Sequence, residues 1–227
     1  MPDPSVTLRM PTVWLWILRI GGGAVGFALA LLAGSLVRWL ESTIGDAPGL
    51  LRLAAALPPW LAAAVLTLVG LFAGSWLAQR AQQESLVLTV GPDSVRLQQD
   101  GYDRYLSRES IASVFLDGKF VVFLDSATRP IARAKASDLS TKDIQAAFER
   151  FGYPWRGTRD PHEDEFRQWI DGHPDVSDAE HRLFRARARA LKEGKAESAD
   201  ELAQQLQEAG IVVRDRNGVQ QYRRIVE

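Results

Sequence analysis

Four basic residues at helical spacing are the strongest candidates for chemistry in this chain of 227 residues. Arg182, Arg185, Arg189 and Lys192 fall within about 80° of one helical face at 100° per residue, opposite Leu183, Phe184 and Leu191. Guanidinium and ammonium groups so arranged neutralise phosphates, the interaction that dominates affinity for nucleic acids. Arg214 and Arg216, further along the chain, complete the candidate nucleic-acid contacts. The alternative reading is a solvated face paired with neighbouring acids. Residues 159–227 hold 12 Lys/Arg against 15 Asp/Glu, a net of −3, so phosphate binding there would be local.

Other chemistries find little support. There is no cysteine, which excludes disulfides, thiolate nucleophiles and Cys-based zinc sites. His162, His173 and His181 do not share ligand spacing on a helix face, so no metal and no cofactor is expected. No serine has a histidine partner at a recognisable motif spacing. Gly21-Gly22-Gly23 lies in an apolar run and is not a phosphate-binding loop. The chain is expected not to be an enzyme.

The elements that position these residues begin with two apolar runs. Leu53 to Ala78 is 26 residues without a charge and Ile20 to Val37 is 18, bracketed by Arg19 and Arg38. About 20 apolar residues cross a bilayer as a helix, so residues 1–81 read as a transmembrane hairpin with spans at about 20–37 and 57–78. A cleaved leader is the rival reading of the first run. Pro58-Pro59 marks the start of the second helix. Trp14, Trp16, Trp39, Trp60 and Trp76 lie near the span ends, as interfacial aromatics do. Arg9, Arg19, Arg80 and Arg96 outnumber Arg38 and Arg52 of the connecting loop. That bias predicts a multi-pass protein of the cytoplasmic membrane with both termini in the cytoplasm. Small residues recur every four positions, at Gly22, Gly26, Ala30 and Gly34 and at Gly70, Gly74 and Ala78. Such ridges let helix backbones touch in lipid, either between the two spans or between copies in a homo-oligomer.

From 82 to 155 the period changes to two. Strand-like runs flank Asp100-Gly101 and Asp117-Gly118, both read as tight hairpin turns. About six antiparallel strands end at a helix capped by Ser140, with Ile144, Ala147, Phe148 and Phe151 on its apolar face. Arg96, Arg104, Arg108, Lys119 and Arg129 could meet lipid headgroups or form a solvated face. This segment after a two-span hairpin, with Ser107-Arg108-Glu109-Ser110-Ile111 and Phe151-Gly152-Tyr153-Pro154-Trp155, resembles the bacterial YqeB-type membrane proteins with a PH-like domain. The resemblance implies a small antiparallel β domain; a fold alone does not give a function.

Residues 156–227 read as a third segment. Asp160-Pro161-His162-Glu163 has the form of a helix start, with Phe166, Trp169 and Ile170 on its apolar face. Ser177-Asp178-Ala179-Glu180 is a capping box for a second helix, ending near Gly194. A third helix runs from about Ser198 to Ala209, and a hairpin turning at Asn217-Gly218 closes the chain. The run Ala199-Asp200-Glu201-Leu202 through Ala209-Gly210-Ile211-Val212-Val213-Arg214-Asp215 resembles the C-terminal module of cysteinyl-tRNA synthetases, which lies near the tRNA anticodon. Ala203 stands where that module carries an arginine, and Tyr222 where it carries a tryptophan. The resemblance implies an RNA-binding ancestry for the module, and the synthetase's nucleotide and zinc motifs are absent.

The fold expected is therefore α+β: a transmembrane helical hairpin, a PH-like β domain with a closing helix, and a small helical module ended by a β-hairpin. The expected function is a membrane-tethered scaffold presenting the β domain and an RNA- or protein-binding module to the cytoplasm. Its partners would be the bilayer, an RNA or protein, and other copies of itself. The alternative is a structural membrane subunit that oligomerises through its glycine ridges.

Overall fold

The computed structural model describes residues 5–44 and 58–225. A short strand β1 (Val6–Leu8) precedes helix α1 (Thr12–Ile44), and helix α2 (Pro59–Glu84) follows the connection. Both helices are long and apolar enough to cross a membrane, over Thr12–Leu32 and Trp60–Glu84. Proline at the start of α2 is tolerated because first-turn amides have no intrahelical partner. The first span is expected from about residue 20; the helix that carries it starts at Thr12, because Val13 to Leu18 continues the apolar run upstream, so Arg19 falls inside the apolar segment Thr12–Leu32.

Six strands follow: β2 (Val87–Val90), β3 (Ser94–Gln99), β4 (Tyr102–Ser107), β5 (Ser113–Asp117), β6 (Phe120–Leu124) and β7 (Pro130–Lys135). They form two sheets, ordered β1-β2-β3-β4 and β5-β6-β7, so β1 adds a strand that the sequence pattern did not suggest. Asp100 and Gly101 take φ of 52° and 79°, the paired left-handed residues of a type I′ turn. The second hairpin turns one residue later than expected. Asp117 is the last residue of β5, paired with Phe120, and Gly118 (φ 59°) leads the two-residue loop. Helix α3 (Thr141–Arg150) starts at Ser140, whose hydroxyl accepts from the Asp143 amide, and buries Ile144, Ala147 and Phe148. Phe148 sits edge-on to Phe123 and Tyr153 and stacks on Trp155.

The C-terminal elements are β8 (Arg167–Gln168), α4 (Asp178–Lys192), α5 (Ala196–Glu208), β9 (Ile211–Arg216) and β10 (Val219–Arg224), with sheet order β8-β10-β9. The capping box at Ser177 and Glu180 is formed in both directions. Asn217 and Gly218, at φ 53° and 77°, make the closing turn. The helix expected from Asp160 does not form. Glu163–Glu165 is a single 3-10 turn and Arg167–Gln168 pairs with β10, because Trp169 stacks on Phe184 and Arg214 sits over the Phe166 ring. Val176, Phe184, Leu206, Ile211 and Tyr222 make the small core.

The described residues divide into two units, one of 5–6, 89–96 and 105–225, the other of 7–44, 58–88 and 97–104. Within the first, the C-terminal module is docked on the β domain. Arg223 donates to the hydroxyl and carbonyl of Thr128, Arg216 to Asp117 at 2.8 Å and Gln207 to the Pro130 carbonyl at 3.3 Å. Within the second, α1 and α2 pack through their glycines. A Cβ on Gly26 would overlap the Leu66 carbonyl, one on Gly70 the Gly22 carbonyl and one on Gly74 the Leu18 carbonyl. Gly22 faces Gly70 and Gly74, Ala30 is half-buried and Ala78 is fully buried. Gly34, Arg38 and Trp39 lie where α1 is described by its backbone only, and Arg52 lies outside the described residues.

Candidate nucleic-acid interface

Helix α4 displays its basic residues as its period dictates. Arg182, Arg185, Arg189 and Lys192 are all exposed on it, while Phe184 and Ala190 are buried and Leu183 is half-buried. Leu191 is 41% exposed, so the helix is only partly covered near its end. Arg185 pairs with Asp171 at 3.0 Å. Arg182, Arg189 and Lys192 make no ion pair within 4 Å among the described residues, which leaves three cations free on one face.

Arg214 and Arg216 are placed differently. Strand β9 turns Arg214 inward, 5% exposed, and both of its terminal nitrogens donate to Glu163, at 2.9 and 2.7 Å. Its Nε donates to Gln221 at 2.8 Å and its guanidinium lies 3.8 Å from the Phe166 ring centroid. Arg216 donates to the same Glu163 and to Asp117. These two arginines join the module to the segment before it and to the β domain. They are not part of the exposed basic face.

A buried arginine network lies behind that face. Arg187, on α4 itself, is 6% exposed and forms a bidentate pair with Asp215 at 2.9 and 2.6 Å, with a further bond to Gln220. At the edge of this network the exposed Arg224 donates to Glu180 and to the Asp175 carbonyl. Arg187 was missed in the sequence, although a signal existed: it falls about 140° around the helix from Arg182, between Leu183 and Leu191. A basic residue on the apolar side of a wheel is a candidate for a buried pair.

The acids that serve this network are shifted by it. Hydrogen bonds from Arg214 hold the Glu163 carboxyl below its usual range, against the opposing effect of desolvation. Desolvation also opposes the Glu180 carboxyl, which is nevertheless lowered by bonds from Arg224 and Ser177. Asp160 is pushed up by burial, although the His162 amide and nearby arginines favour its charge.

His181 is buried, and its Nδ1 accepts from the Trp169 indole at 3.1 Å. Its Nε2 lies 3.2 Å from the His173 carbonyl and Asp171 lies 3.5 Å from its Nδ1, so the ring ties the start of α4 to the segment before it. An open cleft of about 670 Å³ beside Tyr222 is lined by charges of both signs. Arg167 there pairs with Asp175 at 3.7 Å and Arg223 with Glu165 at 4.0 Å. No group of three or more His, Asp or Glu side chains that could hold a metal occurs among the described residues.

In the β domain, Arg108 is a structural residue. It caps the carbonyls of Pro92, Phe151 and Gly152 and lies 4.7 Å over the Tyr153 ring. Arg129 pairs with Asp125.

A family model described as a YqeB-like bacterial PH domain matches residues 6–156. A second, described as a cysteinyl-tRNA ligase anticodon binding domain, matches residues 173–223. The chain is similar to the uncharacterised protein YqeB of Bacillus subtilis (strain 168), with 30% identity over 204 residues, 89% of this chain and 84% of that protein. No solved structure matches it.

Proposed function

Because the chain belongs to the YqeB-like bacterial PH-domain family, we propose that it is a non-enzymatic scaffold, tethered in the cytoplasmic membrane, that holds an RNA segment on its C-terminal module. The observation that carries this reading is the exposed face of α4, where Arg182, Arg189 and Lys192 have no ion-pair partner among the described residues and Arg185 has an exposed one. The match of residues 173–223 to an anticodon-binding domain supports it. The network behind the face supplies rigidity, since a charged helix held by buried pairs presents its cations in one arrangement. The matched descriptions, a PH domain and an anticodon binding domain, support a binding role rather than a catalytic one.

In this reading both termini lie in the cytoplasm and the chain crosses the membrane twice. A reporter after Glu227 should then be cytoplasmic, and a tag near Asp46 should be labelled from outside. The glycine contacts between α1 and α2 weigh against the alternative of a subunit that oligomerises through those same ridges, because the two helices of one chain already use them.

The test is a salt titration of the full chain in nanodiscs against bulk tRNA. Four phosphate contacts give a slope of log K against log salt of roughly −3 to −4. Absence of binding at about 50 mM salt, where such contacts are strongest, would overturn the RNA reading and leave a scaffold for a protein partner.

A further inference from the structure

We infer that Arg19, together with Trp16, forms a binding site for the phosphate of a membrane phospholipid. The inference rests on the reading that α1 and α2 span the bilayer. Arg19 lies inside the apolar segment Thr12–Leu32. Its Nε is buried without a hydrogen-bond partner, and it enters no ion pair within 4 Å among the described residues. Its guanidinium lies 5.7 Å from the centroid of the Trp16 ring. A cation inside a span needs a partner, because hydrocarbon supplies none, and arginines so placed mark functional or anchoring positions.

The depth of the residue selects that partner. A Cβ built on Gly74 would lie 3.3 Å from the Arg19 Cα, so the two are level. Arg80 stands six residues further along α2, about 9 Å at 1.5 Å per residue, and pairs with Glu84 at 3.2 Å. Long helical side chains point back toward the helix N-terminus, which in α1 is the end level with Arg80. Arg19 therefore rises along Trp16 toward the headgroups. Trp14, Trp16 and Trp76, between 56% and 59% exposed, form an aromatic belt at this height. The phospholipid phosphate lies just above such a belt, and the guanidinium fork matches a phosphodiester with two parallel hydrogen bonds. The stem packs against the helices while the head seeks charge, as a snorkelling arginine does.

The experiment uses the full chain in detergent, stripped of lipid and titrated with phosphatidylglycerol, with bound lipid counted by native mass spectrometry. One tightly held lipid is expected, and Arg19→Gln should weaken it about 10- to 100-fold, as loss of a charge-assisted pair does. Arg19→Lys should keep part of the affinity, which separates lost charge from misfolding. Arg80→Gln should leave binding unchanged. Equal retention by Arg19→Gln, equal binding of diacylglycerol with the same chains, or equal loss in Arg80→Gln would each overturn the phosphate site. Displacement of the lipid by inorganic phosphate at comparable concentration would overturn the lipid as its source.

A separate arm tests the membrane reading. The chain has no cysteine, so Phe72→Cys, at a position 77% exposed on α2, takes a single fluorophore in lipid vesicles. Quenching by nitroxides on the acyl chains is expected. If that label is quenched while Arg19→Gln still retains lipid, the phosphate site alone fails. If it is not quenched, the spanning reading fails first.

Discussion

In the helical hairpin, backbones meet through Gly22, Gly26, Gly70 and Gly74, and Arg19 lies over the Trp16 ring with no hydrogen bond or ion pair among the described residues. In the C-terminal module, Arg187, Arg214, Arg216, Arg223 and Arg224 each end on carboxylates, amides or carbonyls, and the glycines at 172, 194, 210 and 218 serve turns in open space. The difference follows from the surroundings of each. On the proposed spanning reading, lipid offers no hydrophobic drive between two apolar helices, so they associate only where small residues allow close van der Waals contact. A small water-facing module has the hydrophobic drive but few residues to use it. It closes with a cluster of five buried side chains and a mesh of charge-assisted hydrogen bonds. The same residue type thus does different work. Arginine cross-links the module, whereas Arg19 of the hairpin makes no ion pair among the described residues.

The comparison breaks most visibly at Gly26. Leucine there meets the Leu66 backbone, which cannot yield without moving the helix. Gly26→Leu should cost about 1–3 kcal/mol or more, against no more than about 0.5 kcal/mol for Leu31→Ala, at a position 67% exposed. Thermal stability in one detergent ranks the two. Equal stability would mean that the glycine contact is not what holds the hairpin.

The next largest effect lies in the charge mesh. Glu163 is shared by Arg214 and Arg216, and Glu163→Ala leaves the buried Arg214 with only Asp160, at 3.9 Å, as an acid partner. Breaking a buried pair costs about 3–5 kcal/mol; the lower end is expected, since Arg216 keeps Asp117. At about 1–3 kcal/mol per molar urea, the midpoint should fall by 1 M or more, without change in helices α1 and α2. A shift below about 0.3 M would show that the mesh decorates a fold held by its apolar cluster alone.

Acid separates the two carboxylates that meet Arg214. Glu163 is lowered in the folded state, so its contribution is present above the unfolded value of 4.5 and is lost as pH falls through the folded one. Asp160 is raised by burial, so its charge costs stability at neutral pH and acid relieves that cost. Unfolding between pH 6 and 3 should show stability falling below about pH 4.5, and Glu163→Gln should flatten that fall. Asp160→Asn should instead raise stability at pH 7 relative to pH 4.

Much of the fold is legible because it rests on local chemistry. The turns at Asp100-Gly101 and Asn217-Gly218, the caps at Ser140 and Ser177 and the apolar spans each follow from a few adjacent residues. What is not legible depends on partners far along the chain. The segment from Asp160 has good helix-start residues, yet its acids are engaged by Arg214 and Arg216 some fifty residues later, and its strand by β10. Strand β1 has three residues and joins a sheet whose other strands lie about eighty residues away. The candidate site divides in the same way. The exposed side of α4 follows from its period, whereas the burial of Arg214 depends on Glu163 and Phe166, which no pattern within β9 announces.

The smallest effect on stability, and the sharpest on binding, is expected at the exposed face. Arg182, Arg189 and Lys192 touch no acid within 4 Å among the described residues, and Arg185 touches only Asp171 in an exposed pair. Arg185→Glu with Arg189→Glu should therefore lower stability by no more than about 1 kcal/mol, since the buried Arg187 pair and the Phe184 core are untouched. If the face binds phosphates, the same change removes two of four contacts and flattens the salt slope by about 1.5–2 units. Arg187→Met makes the opposite comparison: it should destabilise the module, because Asp215 and Gln220 lose their partner, while the exposed charges stay in number. A salt slope that falls equally in both variants would show that tRNA affinity follows module integrity rather than the cations of α4. A slope that falls only in the double reversal assigns the phosphate contacts to that face.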